Sequence, residues 1–161
     1  MRTPYHRAAT LDDLLQKAGE LSAKTMIVDV EPLVAYWDNG QEALDRGVDM
    51  VLGEAAAVTG AAVVCFATNS ARRPSVVPSR PGLRVVYLAS ARKPLLTALY
   101  EEFPRPGVVI GDQIATDGVL ARRLGYAFLH YCPPLTRAPW GPRLLGYGGL
   151  AMRPLLFTPR R

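Results

Sequence analysis

The chain alternates short, unbroken apolar runs with longer stretches whose apolar residues recur every three or four positions. The runs are "TMIVD" (25–29), "AAVVCFAT" (61–68), "LRVVYLA" (83–89), "PGVVIGD" (106–112) and "YAFLHY" (126–131). Runs without polar alternation are typical of strands covered on both faces in a parallel sheet. Between them, "TLDDLLQKAGELSAK" predicts a short helix that Thr10 can cap, with Leu11, Leu14, Leu15, Ala18 and Leu21 on one stripe. Residues 41–58 predict a second helix with Gly53 as a weak point. "KPLLTALYEEF" (93–103) predicts a third, ended by Pro104, and "IATDGVLARRLG" (114–125) a fourth, closed by Gly125. Strand and helix in alternation predict an α/β domain: a mainly parallel five-stranded sheet flanked by helices, over residues 1–132.

The pattern changes at position 133. Residues 133–161 are rich in Pro, Gly and Arg, with Trp140, Tyr147 and Phe157 interspersed and no stable period. After Asp117 the chain has no acidic residue but seven arginines, and the overall net charge is +5. This one-signed extension suits an anionic partner. Packing on the sheet, on a second copy or on another protein suits it too, and is slightly favoured over membrane contact. Nucleic acid ranks last among partners, because no nucleic-acid module is recognisable. Cys65 and Cys132 are too few for a disulfide framework or a zinc cage, and Cys65, inside an apolar run, reads as a buried thiol. Neither a secretory leader nor an apolar run of about 18 residues is visible. The expected location is cytoplasmic, with the inner face of the membrane as a peripheral alternative.

In parallel sheets ligands bind beyond the carboxyl ends of the strands, where strand order reverses. The residues at those ends are Asp29 with Glu31, Thr68 with Asn69, and Gly111 with Asp112. An aspartate so placed can attack phosphorus, provided the phosphate charge is first neutralised by Mg²⁺. Asp29 is then nucleophile and metal ligand together, with Asp112 completing the metal site. Glu31, two residues on, can protonate the leaving oxygen and later activate water. Thr68 and Lys93 are candidates to bind the phosphoryl oxygens.

The order of these residues resembles the haloacid dehalogenase-like superfamily, and more closely its capless subclass III phosphatases, which include the phosphatidylglycerophosphate phosphatases. "DVEPLVAYWD" matches the first motif at Asp29, Trp37 and Asp38; "VVCFATNS" the second at Thr68 and Asn69; "ARKPLLTAL" the third at Lys93 and Pro94. "GDQIATD" matches the fourth at Asp112, Gln113, Thr116 and Asp117. The resemblance covers residues 24–132. It implies a Rossmann-like fold without a cap domain, Mg²⁺ held by Asp29, the Glu31 carbonyl, Asp112 and Asp117, and phosphate held by Thr68, Asn69 and Lys93. The catalytic residues it implies are Asp29, Glu31 and Lys93. The first motif departs from the family, since Glu31, Pro32 and Leu33 replace an aspartate, an asparagine and a threonine.

Two functions follow. One is a Mg²⁺-dependent phosphomonoesterase, uncovered and so suited to a large phosphorylated substrate such as a phosphatidylglycerophosphate headgroup. The other is a catalytically impaired relative, a pseudophosphatase that binds or scaffolds. Trp37 reads as packing, His130 as a packed strand residue, and Arg72 and Arg73 as a solvated turn.

Overall fold

The computed structural model describes residues 3–132, 152–154 and 156–157. Its elements in chain order are β1 (Tyr5–Ala8), α1 (Leu11–Glu20), β2 (Thr25–Asp29), α2 (Gln41–Val58), β3 (Val63–Ala67), β4 (Arg84–Leu88), β5 (Gly107–Gly111), α3 (Val119–Leu124) and β6 (Ala127–Tyr131). They form one sheet in the order β1-β6-β5-β2-β3-β4, every pair parallel, consistent with a Rossmann-like fold.

Alternation along the strands divides the core in two. Met26 and Val28 of β2 face α1 and α2, packing with Leu14, Leu15, Val48, Leu52 and Ala55. Ile27 of the same strand, with Cys65 and Val109, faces the side covered by α3, where Leu120, Ala121, Tyr126 and Phe128 lie. All five residues of β2 are buried, as are those of β3 and β5. A sheet covered on both faces accounts for their unbroken apolar runs. Thr10 caps α1 by accepting from the Asp13 amide at 3.3 Å. α2 runs through Gly53, where an added Cβ would meet nothing. Gly47 is the demanding glycine of that helix, since a Cβ there would strike the Val34 carbonyl.

The sheet has six strands, not the expected five. The additional strand, Tyr5–Ala8, pairs with β6 at the sheet edge, and its sequence "YHRA" is too short and too polar to show an apolar run. The predicted helix over 93–103 is absent: the segment turns irregularly and holds one 3₁₀ turn, Ala98–Tyr100. Leu95, Leu96 and Leu99 are exposed while Tyr100 and Phe103 are buried in the core, so only the end of the segment packs inward. Arg123 donates to the Pro94 and Leu95 carbonyls, which a helix would have used for its own ladder. The predicted helix over 114–125 forms as two pieces, a wide π-helical turn (Ile114–Gly118) followed by α3, closed by Gly125 at φ +68°.

Most of the C-terminal extension lies outside the described residues. Of the part described, Phe157 is buried among Tyr5 and Phe128, and Arg153 stands over the Tyr5 ring. Among the described residues no second domain interrupts the order of strands, and no helix is long and apolar enough to cross a membrane.

Candidate active site

β2 lies where the strand order reverses, pairing with β3 on one side and β5 on the other. Its last residue, Asp29, therefore opens into the crevice between the two connections. A cavity of about 200 Å³ sits there, lined by Asp29, Glu31, Trp37, Thr68, Asn69, Ser70, Lys93, Gln113 and Thr116.

At its base is a buried charge cluster. The Lys93 ammonium donates to Asp29 Oδ1 at 2.6 Å and to Asp117 Oδ1 at 2.8 Å, with all three residues nearly or fully inaccessible. Asp29, Asp112 and Asp117 each place a carboxylate oxygen within 4.8 Å of the others'. The wide turn after β5 brings Asp117 back over the strand end, where its Oδ2 accepts from the Gln113 amide. Gly111 is required beneath it, because a Cβ there would run into the Asp117 carboxylate. Such widened turns recur at functional sites.

Three carboxylates against one ammonium leave an excess of negative charge. Burial, and then the Asp117 charge, hold the Asp29 carboxyl well above the usual carboxylate range despite the opposing pull of Lys93. Burial and Asp117 likewise push Asp112 up to about 7. Burial works against the Lys93 charge, but Asp117 and Asp29 more than offset it and hold that pKa above the usual lysine value. Among the described residues, the buried Asp112 Oδ1 has no hydrogen-bond partner.

Asn69 spends its amide on the Lys93 backbone, accepting from the Lys93 N–H at 2.7 Å and donating to its carbonyl at 3.1 Å. This two-point clamp positions the lysine. Thr68 directs its hydroxyl to Glu31 Oε2 at 2.6 Å, and Ser70 directs its own to Glu31 Oε1 at 3.1 Å. The structure thus brings together every candidate residue, in two groups: Asp29, Lys93, Asp112 and Asp117 in one, with Asn69 holding the Lys93 backbone, and Glu31 with Thr68 in the other.

Trp37, expected to be packing, is partly buried and lines the cavity. One expectation is corrected. Arg72 is not a solvated turn residue: it donates to the Tyr36 and Asn39 carbonyls at 2.9 and 2.8 Å and lies 3.5 Å from Glu31 Oε1. Ser70 was legible only as a second hydroxyl in "TNS". His130 is packed in its strand as expected, and it also supports the site. Its Nε2 lies 3.0 Å from the Asp112 carbonyl, which can only accept, so Nε2 carries the proton and Nδ1 accepts from the Tyr5 hydroxyl at 2.7 Å. Burial lowers its pKa, which favours this neutral form.

The chain matches no family model, no curated protein and no solved structure.

Proposed function

We propose that the chain is a phosphatase of the haloacid dehalogenase-like type, hydrolysing a phosphomonoester through an aspartyl-phosphate on Asp29 with Mg²⁺ as cofactor. The observation that carries this reading is the buried Asp29–Lys93–Asp117 cluster with the unpartnered Asp112 Oδ1 beside it, at the end of the central strand. The donor set fits Mg²⁺, a hard cation that takes carboxylate oxygens and keeps room for water and phosphate. Asp29, Asp112 and Asp117 would hold it, and bound there it would neutralise charge on the phosphoryl group.

Lys93 holds Asp29 through Oδ1, which leaves Oδ2 to attack phosphorus. As the Asp29–phosphorus bond forms, the bond to the leaving oxygen breaks, and Glu31, which takes a proton from solvent once the ligand has displaced its carboxylate from Thr68 and Ser70, passes that proton to the leaving oxygen. Glu31, now a carboxylate, takes a proton from water, whose oxygen displaces Asp29 from phosphorus and releases inorganic phosphate. Lys93 keeps its charge throughout and limits the growth of negative charge at the cluster.

The uncapped cavity favours a large substrate, and a phospholipid headgroup such as that of phosphatidylglycerophosphate suits it. Leu95, Leu96 and Leu99, exposed within six residues of Lys93 in sequence, supply apolar surface for a lipid partner. That placement accords with action in the cytoplasm at the inner membrane face.

A specific observation favours the second reading, a pseudophosphatase. Thr68, a candidate phosphate ligand, gives its hydroxyl to Glu31. The test is phosphate release with Mg²⁺ from an aryl phosphate and from phosphatidylglycerophosphate in vesicles, comparing native protein with Asp29→Asn and Glu31→Asp. Native turnover that falls at least about 10³-fold in Asp29→Asn is the expected result. Absence of turnover in the native protein, restored in Glu31→Asp, would instead establish a site disabled at Glu31.

A further inference from the structure

Glu31 is held by more donors than a mobile proton carrier requires. Thr68 and Ser70 each donate a hydroxyl to a different carboxylate oxygen, at 2.6 and 3.1 Å, and the Arg72 guanidinium stands 3.5 Å from Oε1. The donors are themselves fixed. The Ser70 amide donates to Thr68 Oγ1 at 2.9 Å, and of the two acceptors within reach of the single Thr68 proton, Glu31 Oε2 at 2.6 Å is closer than Ser70 Oγ at 3.0 Å. Arg72 is anchored by the Tyr36 and Asn39 carbonyls. Two hydroxyls and a guanidinium converging on paired oxygens form a donor set suited to any oxyanion. Glu31, Thr68 and Ser70 line the same cavity as Asp29 and Lys93, and Glu31 and Thr68 are buried.

We propose that Glu31 is the resident anion of an oxyanion cradle built by Thr68, Ser70 and Arg72, and that a phosphoryl-bearing ligand enters by displacing its carboxylate. The inference rests on the phosphatase reading and adds to it: Ser70 and Arg72 become binding residues, and Glu31 becomes an internal competitor. The competition is one anion for another, so it weakens the binding of small phosphates. A ligand with additional contacts outside the cavity is less affected.

The test is titration of inorganic phosphate in the presence of Mg²⁺, by calorimetry, into native protein, Glu31→Gln and Glu31→Gln with Ser70→Ala. Glutamine keeps the size of the side chain and removes its charge; Glu31→Ala is the second variant should Gln perturb folding. The expected result is phosphate binding about tenfold tighter in Glu31→Gln than in native protein, with the gain lost when Ser70 is also replaced. Equal or weaker affinity in both Glu31 variants would overturn the proposal, as would phosphate binding to none of the proteins. A gain that survives Ser70→Ala would overturn it too, because general removal of negative charge needs no cradle. Mg²⁺ titrated alone into the native protein reads the carboxylate cluster separately. Mg²⁺ binding without a phosphate gain sinks the cradle and leaves the cation site standing.

Discussion

The two halves of the cavity solve the same problem, a buried carboxylate, in opposite ways. On the β2–β5 side, three carboxylates face one ammonium, and the surplus charge raises the pKa of Asp29 and Asp112. On the β3 side, one carboxylate faces two hydroxyls and a guanidinium, and it is satisfied without further partners. A buried charge that is paired and hydrogen-bonded is at rest, whereas one surrounded by like charges needs a proton or a cation. The difference underlies both proposals, a cation taken up by the first half and a displaceable anion held in the second. It also explains how Glu31 lies beside the charge cluster without joining it: its hydrogen bonds and ion pair among the described residues go to Thr68, Ser70 and Arg72, not to Lys93.

The largest way to break this contrast is to remove Lys93, the one cation of the crowded half among the described residues. Lys93→Met leaves Asp29 and Asp117 buried against each other, and urea unfolding without divalent ions is expected to lose about 3–5 kcal/mol. A loss below about 1 kcal/mol would mean that the cluster is neutralised by protons rather than by Lys93.

A second way is pH. Asp112 is held at about 7 when folded, above its unfolded value, so the folded state binds the extra proton. The sign follows directly: stability of the metal-free protein is full below the ordinary carboxylate range and falls as pH rises toward 7. The slope is at most about 1.4 kcal/mol per pH unit for one proton. Saturating Mg²⁺ is expected to flatten that slope in thermal melts, and an unchanged slope would separate the titration from the proposed cation site.

The smallest effect belongs to the satisfied half. Ser70→Ala removes one of two hydroxyls from Glu31 and is expected to cost about 1 kcal/mol in urea, with no change in the pH slope. A change in slope would show that the two halves are electrostatically coupled.

Much of this was legible in the chain itself. Five of the six strands were visible as apolar runs: β2, β3 and β5 because burial on both faces demands them, β4 and β6 although they are only partly buried; the carboxyl ends of the three buried runs display Asp29, Thr68 and Asp112 directly. β1 was not visible, because a four-residue edge strand needs no apolar stripe, yet it supplies the Tyr5 hydroxyl that fixes His130 against the Asp112 carbonyl. The helix expected over 93–103 did not form. Its leucines stay exposed, only Tyr100 and Phe103 reach the core, and Arg123 takes the Pro94 and Leu95 carbonyls.

By itself, then, the sequence determined the parallel α/β plan and the residues at the strand ends, since both follow from local period and from the chemistry of each residue type. Only the tertiary structure decided their partners. Lys93 joins Asp29 across 64 residues of chain, and Glu31 meets Thr68, Ser70 and Arg72 across 37, 39 and 41. Local pattern says which side chains can carry charge or donate a proton. Which of them meet depends on strand order and on the loops that the strands hold apart.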